Sequence, residues 1–207
     1  MRPKDKAHLS RIRKYYKYHS VIYDATRWSF LFGRKRLLSN LPDLKPSPRI
    51  LEIGCGTGKN IQLLESLYPD ATIVGIDLSE DMLEKAGQKV EESKQVNLIH
   101  CRYGTEPHGR DPFDLILLSY SLTMIGDSIE KILQQVHEDL NPDGYVGVVD
   151  FHNTPFNWFR RWMSKNHVKI NGTLPSLLRK YFTEQRYAVK KAYLGFWEYF
   201  TFIGRRS

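Results

Sequence analysis

The 207-residue chain has little of what marks a membrane-spanning, secreted or metal-clustered protein. No apolar run in it approaches the roughly 20 residues that cross a bilayer. The opening MRPKDKAHLSRIRK lacks the apolar stretch of a secretory signal. Cysteine is scarce: Cys55 and Cys101 are the two present. Two thiols make neither a disulfide framework nor a metal cluster, so both are expected to be reduced and packed, with no bound metal. Internal repeats and low-complexity linkers are missing as well. Together these absences direct the expectation to the cytosol or a cytosol-facing surface.

Acidic residues are scarce in two places. Residues 1–49 hold 13 Lys/Arg against 3 Asp/Glu, residues 50–150 hold 7 against 18, and residues 151–207 hold 11 against 2. An acidic middle is thus flanked by basic ends within a net charge of +8. That asymmetry points to an anionic partner, a membrane surface or a nucleic acid, met by the ends. An apolar content of 41% and a charged content of 26% are those of an ordinary globular domain with a core of its own.

From Arg49 onward, short apolar runs alternate with helix-like spacing. RILEI (49–53), ATIVGI (71–76), VNLIHC (96–101), FDLILLS (113–119) and YVGVVDF (145–151) read as strands, apolar on both faces as in a covered sheet. Residues 60–68, 79–93 and 129–140 read as helices, with Ser79 as an N-cap ahead of Glu80 and Asp81. NPDG (141–144) is a turn signal. This order implies an α/β fold with a doubly wound parallel sheet. Residues 1–48 read as a helical cover and 49–207 as the sheet domain. Residues 152–182 form a lid-like insertion before two late strands, RYAVKKAYL and FWEYFTFIGR, that pair at the sheet edge.

The stretch LEIGCGTGKN (51–60) carries most of the chemical information. Glycines at alternate positions after a strand let bare backbone approach a ligand. A triphosphate loop would need glycine at Ile53 and Ser or Thr at Asn60, and the spacing GxGxG is off-register for a dinucleotide loop. Glu52 would repel a pyrophosphate but attract an ammonium or a sulfonium. Asp77, ending the next strand, is placed to accept from two ribose hydroxyls.

This pairing resembles the class I S-adenosylmethionine-dependent methyltransferases over residues 49–151. The resemblance implies a Rossmann-like, seven-stranded, mostly parallel sheet with helices on both faces. It also implies S-adenosylmethionine as cofactor and S-adenosylhomocysteine as product. Position by position, Glu52, Gly54, Gly56 and Gly58 match the cofactor loop, Asp77 matches the ribose-binding acid, and Leu78 and Met82 lie by the adenine. Ser119 and Tyr120 face the methionine part. Where the family places an acid after the third strand, HCRYG offers Arg102 and Tyr103 at the adenine edge.

YHSVIYDATRWSFLFGRKRLL (18–38), SYSLTMI (119–125) and VVDF (148–151) are similar to bacterial N-methyltransferases that turn diacylglyceryl-homoserine into the betaine lipid diacylglyceryl-trimethylhomoserine. That similarity implies a lipid substrate, an anionic membrane surface on the cytoplasmic side, and three methyl transfers to one amine. Tyr23, Trp28 and Tyr120 are aromatic faces for the growing cation. Tyr23 or Tyr120 could accept a proton, Arg27 could pair with the headgroup carboxylate, and His152 is a further base candidate. Trp158, Phe159, Arg160, Arg161 and Trp162 read as an interfacial segment or a lid helix. Phosphatidylethanolamine or a non-lipid small molecule is an alternative acceptor, and a membrane-tethered cofactor-binding protein is the non-enzyme alternative. Nucleic acid is not expected, because SYSL stands where an NPPY-like tetrapeptide would follow the fourth strand.

Overall fold

The computed structural model describes residues 32–90, 93–104, 111–125, 128–166 and 168–206. One compact unit spans Gly33–Ser207. In chain order its elements are α1 (Arg34–Leu38), β1 (Arg49–Ile53), α2 (Lys59–Leu67), β2 (Thr72–Asp77), α3 (Glu80–Gly87), β3 (Val96–His100), β4 (Phe113–Ser119) and α4 (Leu122–Ile125). Then come α5 (Ile129–Asp139), β5 (Leu140–Asn153), α6 (Asn157–Lys165), α7 (Leu174–Tyr181), β6 (Thr183–Ala192) and β7 (Trp197–Arg205). The seven strands form one sheet in the order β3-β2-β1-β4-β5-β7-β6. β1 to β5 are parallel, and β7 runs antiparallel between β5 and β6.

Strand composition explains this arrangement. Successive strand side chains point to opposite faces, and on β1 and β4 both faces are apolar and buried, from Ile50 and Leu51 through Leu115, Ile116, Leu117 and Leu118. On one face Leu51, Ile116 and Leu118 pack in a core with Leu133 and Val136 of α5, Leu178 of α7, and Phe200 and Phe202 of β7. On the other face glycines in the strands admit the helices. A Cβ at Gly75 would stand 2.7 Å from Ile61 of α2, and one at Gly147 would stand 3.8 Å from Leu37 of α1. The expected late pair of strands is present as the β6–β7 hairpin at the sheet edge.

Three expectations change. NPDG does not precede the fifth strand but lies within β5, as an irregularity where the pairing with β4 shifts between Phe113 and Leu115. Asp143 there takes a positive φ of 68°, so the turn chemistry survives inside the strand. The helix expected over 79–93 ends at Gly87. Residues 152–182 are only partly a surface insertion, since α7 buries Leu174 and Leu178 in the core beside α5. Of the expected helical cover, α1 is seen, with Leu37 and Leu38 buried. Tyr23, Arg27 and Trp28 lie outside the described residues. Among the described residues no helix is long and apolar enough to cross a membrane.

At the edge of the sheet where β1 and β4 begin, Asp114 gathers three donors. Its Oδ2 accepts from the Arg49 backbone N–H at 2.7 Å and from Lys45 Nζ at 2.9 Å, and its Oδ1 accepts from Asn141 Nδ2 at 2.7 Å. Burial alone would raise its pKa, but these donors overcome burial and hold it below the ordinary 3.8. A lowered carboxyl contributes stability that is complete above the unfolded value and is lost as pH falls through the folded one. Asp114→Asn should therefore cost about 2 kcal/mol near neutrality and flatten the acid limb of stability, as urea unfolding across pH would record.

Candidate functional site

The strand order reverses between β1 and β4, and in open α/β sheets ligands bind beyond the carboxyl ends of the strands at such a point. The glycine loop sits there. Gly54 and Cys55 both donate backbone N–H groups to the Ile76 carbonyl, at 2.8 and 3.0 Å, folding the loop onto the end of β2. Gly56 adopts φ 54°, and a Cβ there would meet nothing within 4 Å, so the space in front of it is open to a ligand. Gly58, at φ 73°, opens α2, and a Cβ on it would press on Ala86 of α3 at 3.1 Å.

Asp77 fixes this loop. Its Oδ2 accepts from the Gly56 N–H at 2.8 Å and its Oδ1 from the Ser79 N–H at 2.9 Å. A carboxylate accepts more than two hydrogen bonds, so lone pairs remain for hydroxyl donors. Ser79 in turn caps α3 through its Oγ, which accepts from the Met82 N–H at 3.3 Å. Met82 is buried, whereas Leu78 is 67% exposed, an apolar face beside the loop that a planar ring can cover.

Glu52 is the unusual group. It is 1% exposed, and its Oε1 accepts from Asn60 Nδ2 at 2.7 Å. Glu52 Oε2, Asn60 Oδ1 and Ser121 Oγ are buried without a hydrogen-bond partner. Ser121 stands against the same loop, its Cβ 3.0 Å from where a Gly54 side chain would begin. Burial pushes the Glu52 carboxyl up to about 8, offset in part by the Asn60 hydrogen bond and the Arg34 charge and increased by Asp77. Unmet acceptors around a desolvated acid call for a cationic hydrogen-bond donor.

Beyond β4, Ser119 is buried and Tyr120 takes a left-handed φ of 56°, with its N–H donating to the Val149 carbonyl at 2.8 Å. The Tyr120 ring is 2% exposed and meets Phe151 edge-on at 4.9 Å. Burial, with Asp150 and Tyr199 adding to it, pushes the Tyr120 phenol far above its ordinary range. Burial thus favours the neutral phenol over the phenolate.

Tyr103 also departs from expectation. Its ring belongs to the core, and its hydroxyl donates to Asp139 Oδ2 at 2.6 Å, tying the loop after β3 to α5. Its side chain is thereby committed to the core and to α5, while Arg102 beside it is exposed. His152 lies near the end of β5 with its Nδ1 buried and unpartnered, near Phe200 and the position of Gly172.

Four residues escaped the sequence reading. Asn60 and Ser121 complete the Glu52 pocket, and Arg34 reaches Glu52 and Tyr120 electrostatically from α1. Asp150 is fully buried: its Oδ1 accepts from Thr123 Oγ1 at 2.7 Å and from the Phe151 N–H at 2.8 Å, and its Oδ2 from the Thr123 N–H at 3.1 Å. Burial lifts it to about 6 against these bonds, which clasp α4 to β5. An acid inside the apolar run YVGVVDF was the available signal.

Residues 50–144 match the family model described as a methyltransferase domain. Those residues are thus similar to a methyltransferase domain. Demethylmenaquinone methyltransferase of Bacillus mycoides is 34% identical over 107 residues, which cover 50% of this chain and 45% of the relative. The chain spans about half the length of the first curated relatives it matches, with 50%, 45% and 49% of three of them covered. Among solved structures, N-methyltransferase NodS from Bradyrhizobium japonicum WM9, in complex with S-adenosyl-L-homocysteine, superposes with a TM-score of 0.66 at 19% identity. It covers 84% of this chain and 85% of that one. Phosphoethanolamine N-methyltransferase 2 of Haemonchus contortus, in complex with S-adenosyl-L-methionine, gives 0.70 at 16% identity, covering 84% and 52%. At these identities the likeness is one of fold.

The site fits S-adenosylmethionine through groups already in place. The unmet acceptors by Glu52 suit its ammonium, Asp77 its ribose hydroxyls and Leu78 its adenine. Asp77→Ala should weaken cofactor binding by about 2 kcal/mol, roughly thirtyfold, and an unchanged dissociation constant by calorimetry would place the ligand elsewhere. A carboxyl raised in the folded state contributes stability below its ordinary value, 4.5 for Glu52, that is lost as pH rises through about 8. Glu52→Gln should therefore melt higher than the parent without cofactor, by a gap that widens from about pH 5 to about pH 9, while binding cofactor more weakly.

Proposed function

We propose that this methyltransferase acts on the primary amine of diacylglyceryl-homoserine at the cytoplasmic face of an anionic membrane. Three transfers yield the trimethylated betaine lipid. The observation that carries the donor side is the buried, unmatched Glu52 oxygen among the unmet acceptors of Asn60 and Ser121. The acceptor side rests on the resemblance of residues 18–38 and on the basic ends.

S-adenosylmethionine supplies a methyl group on a sulfonium, which becomes a thioether as the new C–N bond forms. The chain's own work is positioning, which for such a displacement supplies much of the rate. Glu52 and Asn60 would hold the methionine end, and Asp77 would accept from the ribose hydroxyls with the lone pairs that its loop contacts leave over. Tyr120, neutral and fixed by its backbone, lines the approach. The amine must arrive as a free base and lose a proton after the first and second transfers. His152 is the base candidate for that proton. On the resemblance alone, Arg27 is the candidate partner of the homoserine carboxylate, and Tyr23 and Trp28 are candidate aromatic faces for the permanent cation that the third transfer leaves.

A second reading comes from the curated relatives, several of which are demethylmenaquinone methyltransferases: a carbon of an isoprenoid quinone would then receive the methyl group. Labelled S-adenosylmethionine offered with the homoserine lipid, phosphatidylethanolamine and a demethylated quinone in separate detergent-solubilised assays separates them. We expect label in the homoserine lipid, advancing to the trimethyl product. Label in either other acceptor alone overturns the assignment. Arg27→Ala should cut kcat/KM for the lipid by about tenfold or more while leaving cofactor affinity unchanged, since the role proposed for it concerns the acceptor alone.

A further inference from the structure

From residue 152 to residue 197 the chain has nine Lys/Arg and a single acid, Glu184. Within this span α6 and the turn between β6 and β7 share one exposed apolar surface. α6 buries Phe159 and Met163 toward the protein and turns Trp158 and Trp162 outward, 61% and 49% exposed. The turn raises Leu194 to full exposure, with Tyr193 half-exposed beside it. The two elements form one body. Phe196 from the turn lies 4.9 Å from Phe156, 5.7 Å from Trp158 and 4.9 Å from Phe159 between ring centroids. Tyr193 lies 4.8 Å from the buried Trp197, and Thr154 Oγ1 donates to the Phe196 carbonyl at 2.8 Å.

The turn is held in an uncommon shape. Tyr193 and Leu194 both have positive φ, 44° and 57°, followed by Gly195 at 98°. A leucine in a left-handed conformation with its side chain in water is costly twice over. Cations border the surface: Arg161 and Lys165 on α6 are exposed, and so is Lys191 of β6, whose Cδ lies 3.6 Å from where a Gly195 side chain would begin and which pairs across from Glu198. Arg160 is different. It donates to Asn153 Oδ1, the Thr154 carbonyl and Asn157 Oδ1 at 2.7–3.0 Å, and so secures the start of α6 instead of facing outward.

The position of this surface is informative. β7 runs antiparallel to β5, and Asn153 pairs with Glu198, so the turn stands at the carboxyl end of β5. That is the edge of the sheet where β1 and β4 also end and where the glycine loop lies.

We propose that α6 and the β6–β7 turn are a membrane-docking surface for an anionic bilayer. Trp158, Trp162 and Leu194 enter the headgroup region, and Arg161, Lys165 and Lys191 meet lipid phosphates. The proposal deepens the membrane-surface part of the function proposed above. Exposed tryptophans ringed by cations at low acidic content have the chemistry of an interfacial anchor, and the charge complementarity favours a bilayer over a protein partner. Docking by this edge turns the cofactor loop toward the headgroups.

The test is flotation of the full chain with vesicles of phosphatidylcholine and phosphatidylglycerol, without homoserine lipid or cofactor. Wild type should float, and brominated acyl chains should quench its tryptophan fluorescence. Leu194→Asp, and separately the pair Trp158→Ser and Trp162→Ser, should each lower the bound fraction by about tenfold or more, with unchanged circular dichroism and cofactor affinity. Arg161→Gln with Lys165→Gln should weaken binding at low salt and lose that effect at high salt. Flotation of Leu194→Asp equal to wild type, or binding lost only when residues 1–31 are removed, overturns the proposal. So does a solution dimer that Leu194→Asp dissociates while vesicle binding persists. Vesicle binding without methylation of the solubilised homoserine lipid would retire the acceptor assignment and leave the docking surface standing. Methylation without vesicle binding would do the reverse.

Discussion

A carboxylic acid sealed from water at the end of a strand is the constraint around which this domain is arranged. Glu52 has one oxygen satisfied by Asn60 and one with no partner, and burial of that kind opposes folding. The surroundings answer it in stages. Arg34 approaches from α1, Asn60 is brought in by the first turn of α2, and the loop between them is held open by Asp77 from the neighbouring strand. A site that keeps an unmatched acid in the empty protein is prepared for a cation, and the free energy withheld on folding returns on binding. The same logic explains why Asp77 is engaged before any ligand arrives: its bond to the Gly56 N–H preserves a loop that three glycines alone would leave loose.

The strands that a sequence shows best are those with no solvent face. RILEI and FDLILLS are found with both boundaries as expected, because a continuous apolar run bounded by polar or turn residues has few other places to go. The glycine loop was equally legible, since its spacing and Glu52 are local. What could not be seen depends on pairing across distance. Tyr103 looked like a ligand contact, yet Asp139 accepts its hydroxyl from a helix 36 positions away. Asp150 looked like part of an apolar strand, and its meaning appears only with Thr123 placed beside it. Asn60 was in plain view beside the glycines, but without the fold its amide had no address. NPDG misled for the opposite reason: its turn chemistry was real, and the sheet absorbed it as an irregularity.

Charge and architecture also fit one another. The acidic middle of the sequence supplies the half of the sheet with the cofactor loop, and the basic stretch after Phe151 supplies α6, α7 and the edge hairpin. Because β7 reverses direction, residues distant in sequence from the glycine loop return to the same edge of the sheet. An insertion that looked like a single lid separates into two duties, with α7 inside the core and α6 on the surface.

Strand order has a bearing on how the chain is made. β7 lies between β5 and β6 yet follows both in the sequence. As the nascent chain leaves the ribosome, the five parallel strands can assemble while the outer rim of β5, one of the most apolar segments, still has bare N–H and C=O groups. Such a rim is an invitation to pair with another chain. Closure comes only when Phe200 and Phe202 insert together with the last hydrogen-bond ladder. Quality control during synthesis therefore falls most heavily on this late step, and a ribosome stalled before β7 would release a species prone to aggregate.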